Sequence, residues 1–377
     1  MKLAIISHTE HYKTAQNIIV GWGPTITEIN YLLETFDEIY HVAMLHEKQA
    51  PESALPYKSK RIKFIALPAV GGKRRVDKWQ ILIQSPKIIK TISKTLKQVD
   101  CYQFRAPTGI GTFVIPYLVL LNRKKGWFKY AGNWNQKNAS WSYAFQRWIL
   151  KRQGRPVTIN GTWSEQPDHC LSFENPCLTL AEIDSAPELI KNKNVESKID
   201  VCFVGRLENA KGVHLIIKAM NSLNENEKSR IGTVHLVGDG EHVDAYKRMC
   251  EKSSVTFNFH GFLSRDRVRE IYIKSHLFIL PSESEGFPKV IAEALNYGCI
   301  PIVTDISSIG DYIKDQNNGF LLTKLTVEHL AFKIREMLKM TNPDYLRIKN
   351  SQKDLLSKFS YSYYNNRIKK EILNFWE

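Results

Sequence analysis

Apolar residues fall along this chain in short unbroken runs, separated by longer stretches in which they recur every three or four positions. In the first half the runs KLAIIS (2–7), EIYHVAM (38–44), IKFIALP (62–68) and VDCYQF (99–104) predict strands, and 25–35 and 80–97 between them have helical spacing or composition. The second half repeats the design. Strands are predicted at 200–205, 233–238, 255–262, 276–280 and 299–305, and helices at 211–223, 241–252, 264–274 and 288–297. Such alternation predicts α/β domains, each a parallel sheet with helices on both faces. A chain of 377 residues accommodates about two domains. The two series place a doubly wound domain at 1–175 and another at 199–358, with an interdomain linker at 176–198, where the polar piece 185–198 has no strand pattern. The end, 359–377, reads as an amphipathic helix with Ile368, Ile372 and Phe375 on one face, able to pack back on the first domain or on the second.

The stretch SEGFPKVIAEALNYG (284–298) carries candidate chemistry. The preceding apolar run (276–282) predicts a buried strand, and Pro288 suits the first turn of a helix. Val290, Ile291, Ala294 and Leu295 follow at helical spacing, with Gly298 placed to end the helix. Glu285 therefore belongs to the loop at the carboxyl end of a strand and Glu293 to the helix, beside the crevice where open α/β sheets bind ligands. In FVGRLENAKGVHLIIKAM (203–220), Arg206 and Lys211 flank a loop running into a helix N-terminus, a suitable diphosphate site; the plainer reading makes them solvated surface charges. LVGDGEH (236–242) ends a strand in a turn at Gly238, which either approaches a ligand through its backbone or only reverses the chain. A glutamate can accept from ribose or sugar hydroxyls. Two isolated glutamates are ordinarily exposed charges, but three strand-end features converging on one crevice favour a site.

Composition narrows the classes. At 43% hydrophobic and 24% charged the chain is of ordinary globular make-up. Its longest apolar stretch, 113–121, is about half of a membrane span and contains a proline. The six cysteines show no CxxC pattern, which favours reduced core thiols over disulfides or a metal site. A net charge of +15 implies an anionic partner: nucleic acid, an anionic membrane surface or phosphorylated small molecules. Nucleic-acid-binding signatures are absent, although a basic nucleic-acid-binding protein is the alternative of another class. Segments 87–97, 122–130 and 134–155 mix lysines and arginines with apolar and aromatic residues. That mixture suits an anionic headgroup region, or else the tryptophans are core and the lysines merely solvated.

FVGRLENAKG, LVGDG and LPSESEGFPKVIAEALNYGCIPIVTD, with the spacing among them, resemble the nucleotide-sugar domain of family 4 retaining glycosyltransferases (glycosyl transferases group 1) over about 200–322. The resemblance implies the GT-B fold, two Rossmann-like doubly wound domains facing across a cleft. It implies that Arg206 and Lys211 neutralise the donor diphosphate, Glu293 holds the ribose hydroxyls and Glu285 contacts the sugar, with Gly286, Phe287, Pro288 and Gly238 lending backbone support. The implied catalytic set is Glu285, Arg206 and Lys211. The stretch 21–36 stands where members place a Gly-rich loop, which puts Gly21 and Gly23 on the acceptor side. Arg105 stands where many members carry a histidine. His8 and His11 are further candidates to face the cleft, with surface histidines as the plainer reading. The implied activity is transfer of a sugar, with retention, from a UDP- or GDP-sugar to a glycan or lipid-linked acceptor. The setting would be surface polysaccharide (capsule) or lipopolysaccharide assembly, on the cytoplasmic side with peripheral contact to an anionic membrane. No cofactor and no metal are implied, because fixed cations and a helix N-terminus stabilise the departing diphosphate. A GT-B nucleotide-sugar epimerase is the alternative within enzymes.

Overall fold

The structure is a computed structural model that describes residues 1–72, 75–136 and 138–376, with backbone only at 75–78. Lys137 and Glu377, which fall in the expected 134–155 and 359–377 segments, lie outside the described residues. The chain forms two compact units: Met1–Asn175 with Tyr361–Glu377, and Pro176–Ser360.

The first unit contains β1 (Lys2–Lys13), β2 (Ile19–Trp22), β3 (Glu38–His46), β4 (Ala54–Pro56), β5 (Ile62–Pro68), β6 (Cys101–Ala106), β7 (Gly126–Tyr130), β8 (Val157–Ile159) and β9 (Cys170–Ser172). Seven strands make a parallel sheet in the order β5-β3-β1-β6-β7-β8-β9. β2 and β4 extend the far end of β1 as an antiparallel ribbon. The helices Arg75–Leu96, Gly111–Pro116 (continued as Tyr117–Leu121) and Trp141–Leu150 cover one face. There Ile88, Ile92, Val114, Leu118 and Leu150 share a core with Ile6, Phe104 and Phe128. The other face is covered by Gly23–Leu32 and by the end of the chain, through Ile29, Leu32, Ile368 and Ile372 against Leu3, Ile5 and Trp127. Phe375, expected on that apolar face, is exposed, because the helix tightens into a last 3-10 turn at Asn374–Trp376 that rotates it outward.

Part of the expected headgroup-facing surface is interior. β7 occupies the stretch 126–130 with Trp127, Phe128, Lys129 and Tyr130 all buried, and Trp134 is buried beside it, whereas Trp141 and Trp148 are exposed. His8 and His11 lie on β1, which goes on pairing with β3 after a register shift between Ile6 and Glu10. His11 is fully buried, and with His41, Ser7 and Tyr57 it forms a chain of hydrogen bonds: Ser7 Oγ to His41 Nε2 2.8 Å, His41 Nδ1 to Tyr57 Oη 2.6 Å, Tyr57 Oη to His11 Nε2 2.9 Å.

The second unit is a six-stranded parallel sheet of β10 (Ile199–Val204), β11 (Ile231–Val237), β12 (Thr256–Gly261), β13 (Leu277–Leu280), β14 (Ile300–Thr304) and β15 (Phe320–Leu322), ordered β12-β11-β10-β13-β14-β15. The order reverses between β10 and β13, which makes the carboxyl ends of these two strands the switch point. The segment 176–198, expected as a linker, begins this unit. It holds the helix Leu180–Leu189, opened by a Thr179–Glu182 capping box and seated on the core through Ala186 and Ile190. Most of its polar residues follow the helix, in the turns between Lys191 and Lys198.

Burial drives the imidazole of His11 down to about 4 and that of His41 well below its ordinary value. A histidine kept neutral by folding leaves stability intact above its unfolded pKa near 6.5 and removes it as pH falls, by about 1.4 kcal/mol per pH unit for each group. Thermal melting between pH 7 and pH 4 is expected to show a progressive fall in Tm. In the double variant His11→Gln/His41→Gln, the fall should be shallower. An unchanged slope in that variant would mean that these two groups do not carry the acid sensitivity.

Candidate functional site

The site is assembled from the loops that follow β10, β11 and β13. After β10 the chain runs through Arg206 and a single 3-10 turn (Asn209–Lys211) to Gly212, which has φ +74° and opens the helix Val213–Asn221. A β-carbon at Gly212 would lie 2.2 Å from the carbonyl oxygen of Pro281, so the first loop is pressed against the loop after β13. The Glu283 amide donates to the Ala210 carbonyl across the same contact at 2.9 Å. Gly238, with φ +131°, meets the Gly205 carbonyl so closely that a β-carbon would stand 1.9 Å from its oxygen, and this seats the turn after β11 against the turn after β10.

Two helices begin at this junction, Val213–Asn221 and Lys289–Asn296, and neither has a side-chain cap among the described residues. Their first amides are therefore left to solvent or ligand, and the helix dipoles add a partial positive charge there. Pro288 is the N-cap residue of the second helix, one position earlier than expected, and Gly298 ends it with φ +70°.

The structure brings Lys211 and Glu285 together. The Lys211 ammonium donates to Glu285 Oε1, and the Ser282 hydroxyl donates to the same oxygen at 2.8 Å. Glu285 is largely buried and Lys211 partly so, so this pair is less screened than a surface bridge. Arg206 is not part of it. Its guanidinium is mostly exposed and pairs with Glu208 at 2.7 Å. Glu293, one turn into its helix, accepts from Arg265 Nη1 at 3.2 Å. Arg265 also grips both oxygens of Glu182, at 2.9 and 3.1 Å, and donates to the Cys177 carbonyl. Burial pushes the Glu293 carboxyl above the usual range, against the pull of Arg265 and Lys289. The Phe287 ring points into the core, stacked on Phe359 at 4.7 Å, so only its backbone is placed to serve the loop, and the Gly286 carbonyl accepts from Ser308 Oγ at 3.2 Å.

In the first unit Gly21 lies on β2 opposite His11, where a β-carbon would stand 2.4 Å from the ring, and Gly23 opens the helix Gly23–Leu32 with its amide on the Ser53 carbonyl at 3.2 Å. Arg105 ends β6 half-buried. It donates to Gln103 Oε1 at 2.9 Å and to Glu28 Oε1 at 3.0 Å, and Lys129 reaches the same Glu28 oxygen at 2.5 Å. Sequence reading missed Ser282, Arg265, Glu182 and Glu28. Ser282 was within reach, three positions before Glu285; the others are partners distant in sequence and leave no local signal.

Residues 185–354 match the family profile described as glycosyl transferases group 1. An uncharacterised glycosyltransferase of Methanocaldococcus jannaschii is 25% identical over 179 residues, 47% of this chain and 44% of that protein. The putative teichuronic acid biosynthesis glycosyltransferase TuaC of Bacillus subtilis is 34% identical over 110 residues, 28% of this chain and 25% of its own. These matches span less than half of the relatives' length. HepE of Anabaena, solved in complex with UDP, superposes at TM-score 0.68 with 15% identity, covering 99% of this chain and 100% of that one. The fold is GT-B. The part of this GT-B chain that resembles the group 1 glycosyltransferases contains the loops after β10, β11 and β13 described above.

Glu293→Gln tests the carboxyl that burial has raised. A raised carboxyl stabilises the folded state below its unfolded pKa, and that contribution is lost as pH rises through the folded value. At pH 8 the Gln variant is expected to melt no lower than the unmodified protein, and any difference should widen from pH 5 to pH 8. A Tm several degrees lower at pH 8 would show that the ion pair with Arg265 outweighs the cost of burial.

Proposed function

We propose that this chain is a glycosyltransferase that moves a sugar from a nucleoside-diphosphate sugar, UDP- or GDP-linked, to a hydroxyl of a glycan or lipid-linked acceptor with retention of anomeric configuration. Assembly of a bacterial surface polysaccharide or lipopolysaccharide is the setting that fits the likeness to a teichuronic acid enzyme. The observation that carries the reading is the Lys211–Glu285 pair placed beside two helix N-termini without side-chain caps. HepE, a protein of the same fold, binds UDP and UDP-glucose.

The chemistry follows from the parts. A diphosphate leaves with growing negative charge, and fixed cations together with free helix amides stabilise that charge without reorganising. Lys211, paired with Glu285, meets the phosphates as they enter. Glu285, relieved of its cation, turns to the hydroxyls of the donor sugar. Glu293 accepts from the two ribose hydroxyls, held in place through Arg265. Arg206, exposed and tied only to Glu208, swings onto the outer phosphate. In the first unit Arg105, Gly21 and Gly23 serve the acceptor. Attack comes from the face the leaving group departs, with a phosphate oxygen helping to take the acceptor proton.

A thermal-shift series with UDP, GDP, ADP, dTDP and CMP tests donor class, because a ligand of the folded state alone raises Tm with occupancy. UDP or GDP is expected to give the shift. Lys211→Ala should weaken that nucleotide by about 2–5 kcal/mol, the usual loss when a buried charge partner is truncated. Glu285→Gln should retain nucleotide binding and Tm while losing nearly all transfer. Near-normal turnover in that variant would remove Glu285 from the mechanism. The anomeric configuration of the first-formed product, read by NMR, decides retention.

A further inference from the structure

The net charge of +15 is not shared between the units. Counted over the two units, the first carries 28 Lys and Arg against 14 Asp and Glu, and the second 25 against 24. Within the first unit the excess is concentrated further. From residue 79 to residue 164 there are 14 Lys and Arg and one acid, Asp100. That stretch supplies all but the first turn of the helical layer on one face of the sheet, made of Arg75–Leu96, Gly111–Leu121 and Trp141–Leu150; the first turn adds Arg75, Lys78 and a second acid, Asp77.

The outer side of this layer is unusual in a second respect. Leu120 and Leu121 are 76% and 78% exposed, Ile83 72% and Trp141 74%. Trp148, half exposed, continues a ladder from Trp141 through Phe145, with ring centroids 5.4 and 6.2 Å apart. Lys87, Lys90 and Lys94 lie exposed along the outer side of the long helix, at positions that share one face, and Lys97, also exposed, follows in the turn after it. The inner sides of the same helices are saturated by the core, so the outward apolar groups are surplus to folding.

We propose that this helical face docks on an anionic phospholipid surface. Cations in number attract the face to a negative headgroup layer, at about 1 kcal/mol for each Lys or Arg near the surface. Tryptophans settle at headgroup level and protruding leucine and isoleucine side chains enter the acyl boundary, which adds a contribution that salt does not screen. The aliphatic groups decide between polyanions. Exposed Leu120, Leu121 and Ile83 gain nothing on a phosphodiester backbone in water, whereas a bilayer removes them from it. None of the helices spans: no helix among the described residues is long and apolar enough to cross a membrane. The face rests on the bilayer and brings the first unit to a substrate embedded in it, which narrows the acceptor proposed above to a lipid-linked one.

Co-sedimentation of the full chain with vesicles tests this independently of transfer. Binding is expected to vesicles of mixed phosphatidylglycerol and phosphatidylcholine and not to phosphatidylcholine alone, weakening with salt. Replacing Lys87, Lys90, Lys94 and Lys97 by Gln should lower vesicle affinity at least about tenfold. Trp141→Ser with Trp148→Ser should remove the blue shift of tryptophan emission on vesicles and the binding that survives high salt. Neither variant touches the donor loops, so the UDP or GDP thermal shift should be unchanged in both and serves as the check on folding. No sedimentation with the anionic vesicles, or equal sedimentation in the lysine variant, would overturn the proposal. So would displacement from vesicles by sub-stoichiometric random RNA. Loss of the nucleotide shift in the unmodified protein would instead count against the transferase reading alone.

Discussion

Two backbone contacts in the second unit leave no room for a side chain, and the candidate site is a consequence of them. Gly212 against the Pro281 carbonyl and Gly238 against the Gly205 carbonyl draw the loops after β10, β11 and β13 into one junction. Both glycines have positive φ, a region that most residues enter only at a cost of about 1–2 kcal/mol. Close approach of three strand ends is what lets two helices start side by side there. A side chain at either glycine would part the loops and carry Lys211 away from Glu285. The pairing of Lys211 with Glu285 therefore depends on two glycines and on their having no side chain.

The polar groups of the two units are handled differently. In the first unit Glu28 is buried with Arg105 and Lys129 on a single oxygen, and the Ser7–His41–Tyr57–His11 chain is satisfied end to end. Burying such ions costs several kcal/mol each without a partner, and here each buried charge is paired, although the Gln103 amide nitrogen beside Arg105 has no hydrogen-bond partner among the described residues. The Glu285 pair is of another kind. Its carboxylate accepts from one lysine and one serine at the edge of the solvent, leaving spare hydrogen-bonding capacity. A network that is complete resists change, and one that is incomplete at a loop junction is ready to exchange partners.

Most strands were legible because parallel strands buried on both faces are written as continuous apolar runs, as in 276–280 and 299–305. β2, β4, β8, β9 and β15, all three or four residues long, were not, since pairing and not pattern makes them strands. β7 was not predicted as a strand for a different reason. Lys129 sits inside it, charged yet buried because Glu28 lies far away in sequence and close in space. The glutamates and Lys211 were legible from spacing around a predicted strand end, but Arg265 was not, because nothing near it in sequence announces Glu182 and Glu293. The polar piece 185–198 is irregular after Leu189, as its composition implied, but its first residues finish the capped helix Leu180–Leu189, which packs on the core of the second unit.

Arg265 shows why a buried carboxylate can serve a ligand. Burial disfavours the charged form of Glu293, and the nearby cations oppose that effect. A lone arginine beside it would satisfy the charge but could also fold over and cover the carboxylate. Here the guanidinium is already committed to Glu182 and to the Cys177 carbonyl, so its plane is fixed and only Nη1 reaches Glu293. One oxygen of Glu293 is thereby neutralised from a fixed direction, and among the described residues the other has no hydrogen-bond partner. Burial still raises this carboxyl overall, and the pull of Arg265 and Lys289 opposes that rise without occupying both of its oxygens.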